Sequence, residues 1–145
     1  MKKILLAYDG SEPAKRALGQ TIEFARRFEA MVGVISVVPA RSGRTAVDPW
    51  DDRTVHAEEL LEARKVLREA GIEAELLEPA GDPARTIEHM ADERGYDTIV
   101  IGTRNLGALA RRFRFFKLLI IIGFRGEGLN RNQLPIIINP KFFGF

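Results

Sequence analysis

The sequence predicts an α/β fold: a mostly parallel sheet with helices on both faces. Three observations carry this reading. Four short apolar runs alternate with three stretches of helical periodicity, the junctions between them hold turn and capping residues, and 145 residues at 46% apolar and 29% charged suit one compact domain.

The elements follow in order. Lys2 to Tyr8 is a short apolar run that ends in Asp9-Gly10-Ser11-Glu12-Pro13, a turn in which Ser11 can cap a helix and Pro13 suits its first turn. In the helix that follows, Ala14, Ala17, Leu18, Thr21, Ile22, Ala25 and Phe28 recur at three- and four-residue intervals, one stripe for a core, while Lys15, Arg16, Glu23, Arg26 and Arg27 face water. Met31 to Val38 is continuously apolar and Val-rich, as a strand covered on both faces should be. Pro39 to Asp52 reads as a long loop. Leu60, Ala63, Leu67 and Ala70 mark a second helix closed by Gly71, and Ala74 to Glu78 is a third strand. Gly81-Asp82-Pro83 supplies a turn, an N-cap and a helix-starting proline for Ile87, Met90 and Ala91, with Gly95 as the stop and Thr98 to Ile101 as the fourth strand. Leu134 to Ile138, between Pro135 and Pro140, is a candidate fifth strand whose prolines suit an edge.

Composition excludes several classes. Without cysteine there is no disulfide framework, thiolate metal site or cysteine nucleophile, which permits an intracellular reducing setting, and the expected localisation is cytoplasmic. The amino-terminal apolar run is too short for a signal peptide, and Phe113 to Phe124, interrupted by Arg114 and Lys117, falls short of the roughly 18 to 20 apolar residues of a membrane span. Residues 1 to 112 hold 17 Lys and Arg against 19 Asp and Glu, whereas residues 113 to 145 hold 5 against Glu127 alone. An acidic body offers no dense basic face for nucleic acid.

The composition itself breaks near Arg112. Seven of the nine Phe lie beyond it, all sixteen Ala lie at or before Ala110, and the tail has neither Val nor Asp. A divergent segment, a shifted reading frame and misassigned residues are the three readings of residues 113 to 145.

Ile4-Leu5-Leu6-Ala7-Tyr8-Asp9-Gly10-Ser11, then Gly81-Asp82-Pro83-Ala84, then Tyr96 to Arg104 with Leu106-Gly107-Ala108-Leu109, resemble the universal stress protein family over roughly residues 1 to 112. Leu134 to Ile138 looks like that family's last strand. The resemblance implies a single-domain three-layer αβα sandwich of the adenine nucleotide α-hydrolase-like type. Its parallel sheet would have five strands in the order 3-2-1-4-5. It also implies a homodimer paired through the last strand and, in one subgroup, ATP in the cleft, with magnesium entering only alongside ATP.

Members that bind ATP carry Gly, two residues, Gly, nine residues, then Gly followed by Ser or Thr. Here Gly102 matches the first position, Asn105 stands at the second, and Phe115-Phe116 stand where the small pair belongs. Asn tolerates a left-handed backbone, but Phe fills the space where backbone amides would approach phosphate. The motif is broken.

The expected cleft is therefore partial. Asp9 at the end of the first strand would accept a hydrogen bond from ribose or adenine, its plainer role being to cap the helix or hold the turn. Ala7 and Val37 match positions that line the base in ATP-binding relatives. Gly102, Thr103, Arg104, Asn105 and Gly107 would form an anion cradle between a strand and a helix N-terminus, with Arg104 pairing with phosphate. Asp48, Asp51 and Asp52 around Trp50 read as solvated surface rather than a metal site, and neither His56 nor His89 reads as catalytic. Three functions follow: a regulatory adenine-nucleotide (ATP or AMP) module of the stress-protein type, an interaction protein of the same fold without nucleotide, and a hydrolase that releases AMP. The last lacks the expected phosphate loop after the first strand.

Overall fold

The computed structural model describes residues 1–39, 49–103, 119–123 and 136–138, with backbone alone for 49–54, 103, 119–123 and 136–138. In chain order the elements are β1 (Lys3–Ala7), α1 (Glu12–Phe28), β2 (Met31–Ile35), β3 (Val38–Pro39), α2 (Pro49–Glu69), β4 (Ala74–Leu77), β5 (Ala80–Gly81), α3 (Pro83–Glu93), β6 (Thr98–Thr103), β7 (Leu119–Gly123) and β8 (Ile136–Ile138).

The main sheet runs β4-β2-β1-β6-β7-β8. Its first five strands are parallel, which is the expected 3-2-1-4-5 order once the tiny β3–β5 pair is set aside. From β1 the chain winds outward through β2 to β4, then returns to β6 on the other side of β1. The direction of winding thus reverses between β1 and β6, the position at which sheets of this kind take ligands.

Strand alternation sorts the core into two layers. Ile4, Leu6, Val32, Val34 and Val100 pack with Ala14, Ala17 and Leu18 of α1 and Leu60, Ala63 and Leu67 of α2. Leu5, Ile35, Leu77, Ile99 and Ile101 face the other way, against Ala84, Ile87 and Ala91 of α3. Three layers result. Both well-formed caps match the sequence reading: Ser11 Oγ accepts from the Ala14 amide at 3.3 Å and Asp82 Oδ2 from the Arg85 amide at 3.2 Å.

The structure corrects the sequence reading in four places. The fifth parallel strand is Leu119–Gly123, inside the apolar Phe113 to Phe124 stretch, and not the expected Leu134 to Ile138. Ile136–Ile138 is a sixth strand, antiparallel to β7 at the sheet edge. An edge strand can run in either direction because its reversal needs no crossover helix. The expected loop from Pro39 to Asp52 is shorter, since α2 begins at Pro49; proline suits a first helical position, and Asp51 and Asp52 fall in the first turn, where acids complement the helix dipole. Phe28, expected on the buried stripe of α1, is half exposed because it is the last residue of the helix and extends past its sheet contact.

Candidate functional site

The cleft is built from the carboxyl ends of β1, β2 and β6. Asp9 follows β1 and is exposed; its Oδ1 accepts from the Ser11 amide at 2.9 Å, so the side chain holds the turn while Ser11 caps the helix. Ala7 and Val37 are partly buried and pack on the α3 side of the sheet. Gly102, at the end of β6, lies on the α1 side.

Gly102 has a steric reason to be glycine. A Cβ there would overlap the Pro13 carbonyl and the Ala14 amide, so the end of β6 touches the first turn of α1 backbone to backbone. Thr103 ends β6. Arg104, Asn105 and Gly107 lie outside the described residues, as do Phe115 and Phe116, and with them the rest of the expected anion cradle.

Behind the Asp9 turn the fold assembles a cluster that sequence reasoning missed. Ser36 follows β2 and is buried; its Oγ donates to Glu59 Oε2 at 3.1 Å and lies 2.6 Å from His56 Nδ1. His56 Nδ1 is itself 3.3 Å from Glu59 Oε2. Burial pushes the Glu59 carboxyl above the ordinary carboxylate range and Asp9 adds to the rise, against the hydrogen bond from Ser36 and the charge of His56. Tyr8 is buried one residue before Asp9, its hydroxyl beside Glu62 without closing a well-formed hydrogen bond. Burial first, then the carboxylates of Glu62, Asp9 and Glu59, push it up to about 12.

A serine, a histidine and a carboxylate this close suggest a nucleophile, but the geometry is wrong for one. In a catalytic triad the serine and the carboxylate engage opposite nitrogens of the ring. Here both meet Nδ1, and Ser36 is only 3% exposed. The cluster is a polar clasp between β2 and α2. The other histidine, His89, is exposed on α3, with Nε2 3.5 Å from Glu93 Oε2. Among the described residues no group of three or more His, Cys, Asp or Glu could hold a metal ion. Asp48 lies outside the described residues, and Asp51 and Asp52 fall on the first turn of α2. Among the described residues no helix is long and apolar enough to cross a membrane.

Residues 1–115 match the sequence model of the universal stress protein family, and the matched segment holds the first four strands of the parallel sheet and the three described helices. The chain belongs to the universal stress protein family. It is similar to the stress response protein NhaX of Bacillus subtilis, 25% identical across 94% of this chain and 96% of that one. It is also similar to universal stress protein Sll1388 of Synechocystis, 32% identical over 77% of this chain and 84% of its relative. Among solved structures, the universal stress protein of Archaeoglobus fulgidus in complex with dAMP superposes with a TM-score of 0.67 at 27% identity, covering 86% of this chain and 98% of that one. For this universal stress protein, Asp9 and Gly102 stand at the carboxyl ends of β1 and β6, where the winding of the sheet reverses.

Proposed function

We propose that this universal stress protein is a regulatory module that binds an adenine nucleotide of the monophosphate class in the crevice between β1 and β6. One observation carries the reading: Asp9, Ala7, Val37 and Gly102, separated by up to 95 positions in sequence, converge on the carboxyl ends of adjacent strands where the winding of the sheet reverses. The Archaeoglobus fulgidus relative in complex with dAMP supports the ligand class. Asp9 keeps one carboxylate oxygen on the turn and offers the group to a ribose or adenine donor, Ala7 and Val37 present small apolar surface to a base, and Gly102 holds the end of β6 against the first turn of α1 beside them.

Discrimination against ATP follows from the sequence. Asn105 and the Phe115-Phe116 pair stand where ATP-binding members carry glycine and a small pair, so bulkier side chains take the space in which backbone amides would approach the outer phosphates. Magnesium would enter only with a polyphosphate.

Isothermal calorimetry with AMP, ATP and adenosine tests the proposal. AMP should bind at least as tightly as ATP, and Asp9→Ala should weaken AMP by about 1 to 3 kcal/mol through loss of one hydrogen bond to a charged acceptor. Absence of heat with every adenine compound would leave the nucleotide-free interaction module as the reading. Release of AMP from ATP on incubation would instead favour the hydrolase.

The same proposal includes a cytoplasmic homodimer. The support is β8, an apolar edge strand of three consecutive isoleucines, since an uncovered edge is a liability that pairing removes. Light scattering should give twice the 16.3 kDa chain mass at micromolar concentration. A monomer with an intact carboxyl terminus would overturn it.

A further inference from the structure

The Asp9–Gly10 turn is met by a side chain from another layer of the fold. Gly10 takes a φ of 76°, in the left-handed region, and has no side chain with which to prop the turn from within. The three nearest heavy atoms that a Cβ built there would meet all belong to Glu59 of α2: Cγ at 3.5 Å, Cδ and Oε1 each at 3.9 Å. The stem of Glu59 thus stands beside the turn, on the side that a residue at position 10 would face.

Ser36 holds the far end of the same side chain. Its Oγ donates to Glu59 Oε2 at 3.1 Å, and its own amide donates to the Leu77 carbonyl at 3.0 Å, so the anchor is fixed to the sheet. Val37 follows at once. The last bond between the two strands is from the Tyr8 amide to the Ile35 carbonyl, at 3.0 Å. Past it the Asp9–Gly10 turn and the Ser36–Val37 exit go separate ways, and among the described residues Glu59 is the next link between them, its side chain only 16% exposed.

We propose that Glu59 is a positioning residue of the nucleotide site, a strut from α2 that fixes the Asp9–Gly10 turn relative to Ser36 and Val37 and so sets the separation of the groups that take the sugar and the base. Its effect on a nucleotide rests on the reading above, whereas its hold on the turn does not. Length is what the strut supplies: Cγ and Cδ face the turn, and Ser36 needs only an acceptor oxygen, which glutamine also offers. Supporting side chains of this kind keep a site within about 0.5 Å of its working geometry.

Hydrogen exchange and calorimetry with AMP on the full chain test the strut. Glu59→Gln keeps the stem and the acceptor and should leave both readouts within about twofold of wild type. Glu59→Asp keeps the charge but withdraws the stem, and Glu59→Ala removes it. In both, the Ser11 amide, which donates to Asp9 Oδ1 at 2.9 Å, should exchange about tenfold faster while amides inside β1 and β2 hold their rates. AMP should bind about tenfold more weakly to the same two variants. Ser36→Ala should loosen the turn by a smaller factor, and adding it to Glu59→Ala should change nothing further, since Ser36 acts through Glu59. It also carries the test should the shortened variants fail to fold. Exchange at Ser11 that is unchanged in Glu59→Asp and Glu59→Ala, or raised equally throughout both strands, would overturn the strut. So would a Glu59→Gln protein as impaired as Glu59→Ala, because charge would then be the quantity that matters. A loosened turn in a protein whose wild type binds no AMP would uphold the strut and sink the nucleotide reading instead. A loosened turn with AMP affinity unchanged would overturn the claim that the strut positions the nucleotide, while leaving the nucleotide site in place.

Discussion

The two ends of the sheet are built from similar residue types and arranged to opposite effect. At the amino end, polar groups are consumed by one another. Tyr96 donates to Glu75 Oε2 at 2.7 Å, Arg94 pairs with the same carboxylate, and Lys3 reaches the Arg94 carbonyl at 2.6 Å while its ammonium lies 4.4 Å from the centre of the Tyr96 ring. Asp97 accepts from the Lys2 amide and from the Thr98 hydroxyl, each at 2.7 Å. At the carboxyl end, Asp9 is exposed with only the Ser11 amide on its carboxylate, and His56 meets its clasp through one ring nitrogen. The lesson is physical. Parallel strands leave unpaired polar groups at both ends, and a fold that satisfies them internally at one end gains rigidity there, while the end left partly open is the one that can take a ligand.

Glycine substitutions break this comparison most sharply. Gly102→Ala forces a methyl group into the Pro13 carbonyl, and because backbone meets backbone neither side has a rotamer to give; we expect a loss of about 3 kcal/mol in urea unfolding, with the cleft displaced. Its counterpart at the other end is Gly33→Ala, where the new Cβ overlaps the Tyr96 hydroxyl and ring. A side chain can swing away, but only by giving up Glu75, so the cost should be smaller, about 2 kcal/mol. Equal losses from the two would mean that the carboxyl end is as adaptable as the amino end.

Tyr96→Phe isolates the hydrogen bond from the packing and should cost about 1.5 kcal/mol, as expected for a bond to a charged acceptor. Burial and Glu75 push the Tyr96 pKa upward, so no ionisation of this tyrosine should appear in an absorbance titration until well above pH 10.

The smallest effect is read against pH. Burial opposes ionisation of Asp97, but the Lys2 amide, the Thr98 hydroxyl, the Lys3 backbone and the amino-terminal charge together outweigh it and hold the carboxyl below its ordinary range. A depressed folded value means stability that is present above the unfolded pKa of about 3.9 and lost as pH falls through the folded one. Asp97→Asn should therefore melt below wild type at pH 7, and the gap in Tm should close in acid. A gap that persists unchanged below pH 3 would assign the effect to packing.

Sequence by itself determined the αβα layering, because burial on a parallel sheet demands continuous apolar strands such as Val32 to Ile35 and striped helices such as α1, and because Ser11 and Asp82 mark helix starts through local hydrogen bonds. It also set Asp9 and Gly102 at the carboxyl ends of the first and fourth strands through motifs that are local in the chain. Tertiary structure alone decided the rest. The Ser36, His56 and Glu59 clasp joins positions 20 and 23 residues apart, and nothing in a lone serine and a helical histidine announces that the strand end and the helix will meet. The fifth strand is of the same kind: Leu119–Gly123 and Ile136–Ile138 are both short apolar runs, and only pairing with β6 selects the first as the parallel strand and leaves the second at the edge. The need for glycine at 102 likewise arises from α1, whose first turn occupies the space that a side chain would fill. Local chemistry specifies elements, whereas the site depends on distances between elements, and those are set by how the layers pack.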